Sequence, residues 1–168
     1  MLLDAVRLLL FPAVMAFAAS SDLLTMTISN RASLLLVGGF FALALITGMD
    51  AAALGLHVGA GLTVFVVTFA MFVAGWIGGG DAKLAAATAL WIGFDQLLTY
   101  FVWTSLLGGL LTLALLRFRL QPLPDCLAGE QWLQRLHRID GGIPYGIALA
   151  FAALLVYPDT ALMGALGR

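Results

Sequence analysis

Residues 51–80 read AAALGLHVGAGLTVFVVTFAMFVAGWIGGG and contain no Asp, Glu, Lys or Arg. A helix needs about 20 mainly apolar residues to cross the hydrocarbon core of a bilayer. The uncharged stretch is longer than this, so it predicts a membrane-spanning helix. A transmembrane β-barrel would instead show alternating apolar segments of about 10 residues each, and this continuous stretch does not fit that pattern.

The composition of the whole chain agrees with this interpretation. Apolar residues make up 62% of the 168 residues and charged residues only 10%, whereas soluble domains are about 45–50% apolar and about 25% charged. So few charges cannot cover a water-facing surface, and the high apolar content excludes a disordered chain. The net charge of −1 argues against a nucleic-acid partner. We therefore expect an integral membrane protein whose surroundings are membrane lipids.

The charged residues divide the rest of the sequence into further apolar stretches. The fold class that they predict is all-α, a bundle of six transmembrane helices that forms a single membrane domain over residues 1–168. The predicted spans are about 3–21, 32–49, 52–75, 82–97, 99–117 and 143–160. Residues 118–142 form the one longer loop. It begins with an extended turn, Gln121-Pro122-Leu123-Pro124, and residues 131–140 are either a short helix on the membrane surface or a plain connector.

The distribution of Lys and Arg predicts the orientation of the chain. With the N-terminus outside, the inner connections and their flanks contain six of the eight basic residues: Arg31, Lys83, Arg117, Arg119, Arg135 and Arg138. Only Arg7 and Arg168 fall on the other side, so the positive-inside rule places the longer loop in the cytoplasm. In the competing interpretation, residues 8–18 are the core and cleavage site of a signal peptide, and the first span is then removed.

Two acidic residues stand out because charge at the edge of the hydrocarbon is costly. Asp22 ends the first predicted span and Asp81 opens the fourth, so both lie at the cytoplasmic side at similar depth. Asp81 follows three glycines, Gly78 to Gly80, an unusual start for a helix. A helix cap or a helix N-terminal charge would explain either aspartate alone.

Two carboxylates that share one water molecule do not easily ionise together, so one keeps its proton while the other acts as a base. The ionised group can then activate water for attack on a peptide carbonyl, and the protonated group can donate to the oxyanion. This chemistry needs no metal or cofactor, and we predict neither. The single cysteine, Cys126, also excludes an internal disulfide and a multi-cysteine zinc site.

Three segments resemble motifs of the prepilin leader peptidases, which are membrane aspartic peptidases. Residues 78–81 match the GxGD motif, and the segment Asp81-Ala82-Lys83-Leu84 resembles its continuation. Residues 21–31, with Asp22 and then Ile28-Ser29-Asn30, resemble the first catalytic segment, and Ile143-Pro144-Tyr145-Gly146 resembles the motif at the start of the last helix. The three motifs occur in the family's order over nearly the whole chain.

This resemblance implies an aspartic endopeptidase with Asp22 and Asp81 as its catalytic pair. Such an enzyme removes the short N-terminal leader from a pilin-like precursor whose N-terminal helix is hydrophobic. The cut is made at the cytoplasmic face of the bacterial inner membrane, where the enzyme is a multi-pass protein. The motif residues Gly78, Gly80, Lys83, Asn30, Pro144 and Tyr145 are then expected to support the site. Anchoring at the inner interface is the favoured role of Lys83 and an alternative for Tyr145, and Asn30 could equally cap a helix.

The chain departs from the family pattern in two ways. Ser29 stands where proline is usual, which is expected to loosen the turn after Asp22. The cytoplasmic domain with paired CxxC motifs is missing, and with it any indication of zinc or of methyltransferase activity. The chain therefore resembles the short, peptidase-only branch that serves Flp/Tad-type pili.

Two other functions remain as alternatives. One is a proton-coupled transporter with Asp22, Asp81 and His57 as relay groups, although the aspartates lie near one interface and no inverted repeat is visible. The other is a non-catalytic assembly factor of a pilus or secretion system. For His57 itself, a hydrogen-bonded packing role is favoured.

Overall fold

A computed structural model describes residues 2–123 and 129–164 of the chain. Eight helices occur in these residues: α1 (Leu2–Thr25), α2 (Asn30–Thr47), α3 (Ala51–Val73), α4 (Gly79–Ile92), α5 (Leu97–Arg119), α6 (Gln131–His137), α7 (Tyr145–Val156) and α8 (Ala161–Gly164). Single 3₁₀ turns cover Phe94–Gln96 and Tyr157–Asp159. The described part contains no strand, which confirms the all-α prediction for those residues. Pro124, Cys126 and Arg168, which entered the predictions above, lie outside the described residues.

Five helical segments are long and apolar enough to cross a membrane: Leu8–Thr25, Asn30–Thr47, Ala51–Val73, Phe94–Arg119 and Tyr145–Gly164. Their outer faces carry many exposed large apolar side chains, such as Leu45, Leu98 and Leu34. Such a surface requires a lipid environment. The protein is therefore a helical membrane protein.

Helix α4 is short and lies inside the bundle. At about 1.5 Å per residue its 14 residues rise about 21 Å, less than the roughly 30 Å of the hydrocarbon core. It packs against α2, α3 and α7, while α7 also contacts α1 and α5. Residues 84–92 are all buried. Small alanine side chains allow this close packing on several sides.

Aromatic and polar anchors hold α4 to its neighbours. Trp91 is fully buried and donates its indole N–H to the carbonyl of Leu36, 2.8 Å away in α2. His57 of α3 is also buried, with Nδ1 2.9 Å from the carbonyl oxygen of Leu90. This contact confirms the packing role predicted for His57.

Several predicted boundaries were wrong by more than two residues. Helix α1 continues to Thr25 instead of ending at 21, and the Ser20 and Thr25 hydroxyls donate to carbonyls four residues earlier in the same helix. Helix α4 begins within the glycines and ends at Ile92, because the φ of +70° at Gly93 breaks the helix before the predicted 97. The last span is interrupted after Val156 by the 3₁₀ turn that contains Pro158, since proline cannot donate to the helical ladder.

The loop after α5 contains one short helix, α6, as one of the two interpretations predicted. Leu136 is buried while Trp132 and Leu133 are half-buried, so α6 packs against the bundle by one face. The helix ends at His137, and Ile139, beyond its end, is 87% exposed.

Candidate active site

The Asp22 side chain lies one turn before the end of α1, in a position enclosed by α7. It is 5% exposed. Its Oδ2 atom accepts a hydrogen bond from the backbone N–H of Gly146, at 2.7 Å. Gly146 is in the first turn of α7, where backbone N–H groups have no partner within the helix. The buried carboxylate therefore uses a free donor at a helix N-terminus and lies in its favourable dipole field.

The Asp81 side chain lies in the first turn of α4 and is half-buried. Its Oδ2 folds back over Gly78, 2.8 Å from the position that a Cβ of residue 78 would occupy, and the Gly78 backbone N–H interacts with the carboxylate. The charges of Asp22 and Asp81 are close enough to interact. The structure thus brings together the two aspartates that the sequence singled out.

Glycines allow the close approach of the three segments around the aspartates. A Cβ at residue 80 would lie 3.0 Å from the Cβ of Ile28, and one at residue 146 would lie 2.7 Å from Ile28 Cδ1 and 3.1 Å from Asp22 Cβ. Ile28, in the connection between α1 and α2, therefore packs against both α4 and α7. The triple glycine was expected to be a poor helix start, yet Gly79 and Gly80 are helical. Phe72 and Ile28 occupy the space where their side chains would be.

Hydroxyl groups fold the segment after Asp22 back onto α1. The Ser21 Oγ donates to the carbonyl of Thr27 at 2.9 Å, and Met26 takes a left-handed backbone conformation with φ of 56°. Ser29, where the family resemblance predicts proline, accepts from the N–H of Arg31 at 3.2 Å and caps α2. Its side chain therefore holds the start of α2, while Ser21 holds the turn that precedes it.

The other predicted support residues divide into two groups. Gly78 and Gly80 contact Asp81 and Ile28, as described above, and Pro144 is fully buried directly before α7. By contrast, Lys83 and Asn30 bind each other, with Nζ 3.1 Å from Oδ1. Lys83 is two residues from Asp81 and so about 200° around α4.

Tyr145 also points away from the aspartates and packs on α5. Its ring would contact a Cβ at Gly108, and its hydroxyl is 3.5 Å from that of Thr112.

Two residues that were quoted in the motifs but not predicted as site residues contact the aspartate pair or its support. Gly146 supplies the N–H to Asp22, and Ile28 packs against Gly80 of α4 and Gly146 of α7. The sequence signal for Gly146 was its position, the second residue of the helix that follows Pro144. The backbone N–H of a residue there has no hydrogen-bond partner within the helix. Ile28 gave no signal apart from its place in the motif.

A sequence comparison assigns the chain to a family. Residues 9–113 match the type IV leader peptidase family. The match covers more than half of the chain and includes both aspartates, so the chain belongs to this family of membrane peptidases. No curated protein and no solved structure matches it.

Proposed function

We propose that the chain is an aspartic endopeptidase that removes the short N-terminal leader from prepilin-like precursors. The observation that carries this proposal is the meeting of two acidic side chains from distant helices, Asp22 of α1 and Asp81 of α4, with Gly146 donating to the first. Burying such a pair in an apolar bundle costs free energy, and ionisable residues inside a membrane protein therefore tend to mark functional sites. Membership of a peptidase family supplies the reaction class.

In the proposed mechanism one water molecule binds between the two carboxyl groups, one ionised and one protonated. The ionised carboxylate takes a proton from this water while the water oxygen attacks the scissile carbonyl. The protonated carboxyl donates to the carbonyl oxygen as negative charge develops there. The tetrahedral intermediate then collapses, the C–N bond breaks, and the leaving amine takes the proton held by the first carboxyl group. As the new carboxyl product forms, one hydroxyl proton of the intermediate returns to the second carboxylate, which restores the starting protonation of the pair.

The chain's own contacts favour this use of Asp22. Because the Gly146 N–H holds Oδ2, the carboxylate has one fixed orientation and its Oδ1 remains for the water. No further group is needed for this chemistry, and the proposal includes no metal or cofactor. The described residues contain no group of three or more His, Cys, Asp or Glu that could hold a metal ion.

We further propose that the chain is a single membrane domain that crosses the bacterial inner membrane six times, with its N-terminus outside and the aspartates at the cytoplasmic face. Helix α4 is the additional span. It is shorter than the hydrocarbon core is thick, but α2, α3 and α7 pack around it, and non-helical backbone at membrane depth is tolerated where it lies beside protein. Two hydrogen bonds support this arrangement, since they join the ends of helices that should lie on one side. Lys83 binds Asn30, and Arg135 of α6 donates to the Leu24 carbonyl of α1 at 2.7 Å. Basic residues thus collect at the same end as the aspartates, as expected for a cytoplasmic side.

The substrate would be a pilin-like precursor with a hydrophobic N-terminal helix, as in the short Flp/Tad-type branch that the sequence resembles. The test is co-expression with a candidate precursor from the same source and mass measurement of the precursor. We expect Asp22→Asn and Asp81→Asn each to lower the rate of leader removal by about 10²–10⁴-fold. Asp95→Asn is the matched control, because Asp95 is exposed in the 3₁₀ turn after α4.

Each outcome of this experiment is informative. Normal processing by either dyad variant would show that the catalytic assignment is wrong. A wild-type protein that is present in the membrane but cleaves no co-encoded precursor would favour the assembly-factor function. The proposal requires that Asp95→Asn cleaves the precursor at the wild-type rate. It also requires that all variants are present in the membrane in equal amounts.

A further inference from the structure

A groove of about 490 Å³ runs along the surface of the bundle between α2, α3 and α4. We call it the α2–α4 groove. Its α4 wall is formed by Lys83, Ala86, Ala87 and Leu90, which share one face of the helix. Asp81 lies about 200° around α4 from Lys83. The groove is therefore a separate feature on the side of α4 that faces away from the aspartate pair.

The two ends of the α2–α4 groove differ in chemistry. Asn30, Ser33 and Lys83 line one end, and the Asn30 and Lys83 side chains are joined by their hydrogen bond. Phe41, Val58 and Leu90 line the other end. Lys83 is the only charged residue that lines the groove, and within the described part of the chain it forms no ion pair. The groove thus has one cationic, polar end followed by an apolar channel.

The polarity of the groove distinguishes between possible occupants. From Asn30 to Phe41, α2 rises about 16 Å, and over this length the lining changes from the Lys83 cation to apolar side chains. A phospholipid has the same polarity, an anionic headgroup followed by apolar chains. The groove has a volume of about 490 Å³. It has room for a single row of methylene groups, whose carbon atoms keep about 4 Å from their neighbours.

We propose that the α2–α4 groove is a binding site for one anionic phospholipid. The phosphate binds Lys83 and Asn30, and one acyl chain lies along the channel towards Phe41. The orientation matches that of a lipid in the membrane, because the polar end of the groove is at the helix ends where basic residues collect and the apolar end points into the bundle's hydrophobic zone. A bound lipid contacts all three helices and so stabilises the position of α4. This inference does not depend on the proposed peptidase activity.

The test uses the full-length protein in detergent, with bound lipid counted by native mass spectrometry. The probe is palmitoyl-oleoyl-phosphatidylglycerol, compared with the phosphatidylcholine that carries the same two chains. We expect one phosphatidylglycerol per chain at low lipid concentration and weaker phosphatidylcholine binding. Lys83→Gln should weaken phosphatidylglycerol binding about fivefold, the factor for loss of one cation near a lipid surface. Arg31→Gln is the matched control, since Arg31 is exposed at the same end of α2 but does not line the groove.

A second pair of variants tests the apolar channel. Val37 lines the groove and is 37% exposed, so Val37→Trp should fill the channel and remove the bound lipid. Leu35→Trp places the same residue on α2 outside the groove, where the side chain is 53% exposed, and should leave lipid binding unchanged. Thermal unfolding of both variants in detergent without added lipid shows whether each is folded.

Several results would overturn the proposal. Equal binding of the two phospholipids, or equal losses in Lys83→Gln and Arg31→Gln, would show that Lys83 does not select a phosphate. Lipid binding that survives Val37→Trp in a folded protein would show that the chain does not enter the groove. Competition by free glycerol 3-phosphate at the concentration of the lipid would show that the headgroup alone is bound. Capture of a second copy by a photo-crosslinker at position 37, in place of lipid, would show that a protein surface and not a lipid covers the groove.

Discussion

Gly146→Ala is the substitution that most directly tests how the aspartate pair is held. The added methyl group would lie 2.7 Å from Ile28 Cδ1, 2.8 Å from Asp22 Oδ2 and 3.1 Å from Asp22 Cβ. Carbon atoms in contact normally keep about 3.5–4.0 Å apart. Asp22 or α7 must therefore move by roughly half an ångström to 1 Å, and the 2.7 Å hydrogen bond to the Gly146 N–H would change with it.

A displacement of about 1 Å in a catalytic group costs about 10²-fold in rate, so we expect leader removal to slow by that order. The measurement is kcat/KM for a purified precursor in detergent, with Tm recorded on the same samples. Gly109→Ala is the matched control, because Gly109 is also helical and a Cβ there meets nothing within 4 Å. It should keep the wild-type rate, and its Tm should be equal or higher, since alanine favours a helix by about 0.5–1 kcal/mol over glycine.

A double variant separates the two clashes. Ile28→Val deletes Cδ1 and so removes the 2.7 Å contact but leaves the contacts with Asp22. If the contact with Asp22 limits the rate, Ile28→Val combined with Gly146→Ala should recover stability but only part of the activity. A Gly146→Ala protein with the wild-type rate and Tm would refute the argument that this glycine positions the aspartate.

Three further predictions concern stability, each measured as Tm of the full-length protein in detergent. Trp91→Phe removes the indole N–H that donates to Leu36 and should lower the stability by about 1–2 kcal/mol. The control, Trp103→Phe, changes a 41% exposed position and should lower it less. Equal losses of stability would contradict the role of the hydrogen bond. Ser29→Pro introduces the residue that the family resemblance predicts, and the backbone φ of −63° suits proline. The stiffer chain should offset most of the stability lost with the cap, so the stability should change by less than about 1 kcal/mol. An unfolded variant would show that the cap is essential. The Arg138 guanidinium hydrogen-bonds Asp140 at 2.8 Å and holds the pKa of that carboxyl below its usual value. A lowered pKa gives stability above the unfolded pKa that is lost as pH falls through the folded one. Because the pair is fully exposed and screened by salt, Asp140→Asn should leave Tm unchanged at 0.15 M salt from pH 7 to pH 3, and a clear Tm difference at pH 7 that disappears in acid would contradict this.

The prediction of the fold from sequence succeeded where hydropathy alone decides it. The uncharged stretch at 51–80 contains α3, whose start at Ala51 and end at Val73 agree with the expected span to within two residues. Boundaries were missed where hydropathy is a poor guide. Helix α1 continues past Ser21 through polar residues whose hydroxyls bond to carbonyls of the helix itself. Helix α4 starts among glycines against which two distant residues, Ile28 and Phe72, are packed.

The candidate site shows the same division. Depth in the membrane and motif spacing were enough to select Asp22 and Asp81, and the structure brings them together. The spacing could not show that Lys83 faces the opposite side of α4, because the fourth helix was expected to start after Asp81 and its contacts with α2 were unknown. Nor could it show that Gly146 donates to Asp22, since 124 residues separate the two in the chain.

The buried position of α4 has a consequence for how the protein can vary. A helix at the edge of the bundle, such as α5, can exchange one large apolar residue for another on its outer face. Helix α4 has neighbours on several sides, and enlarging Ala82, Ala85 or Ala89, which are 0–3% exposed, would push α2, α3 or α7 outward. Random substitution followed by selection for folded protein should therefore leave α4 the least altered helix. The small residues of α4 that follow the GxGD motif would then be required by packing and not only by catalysis.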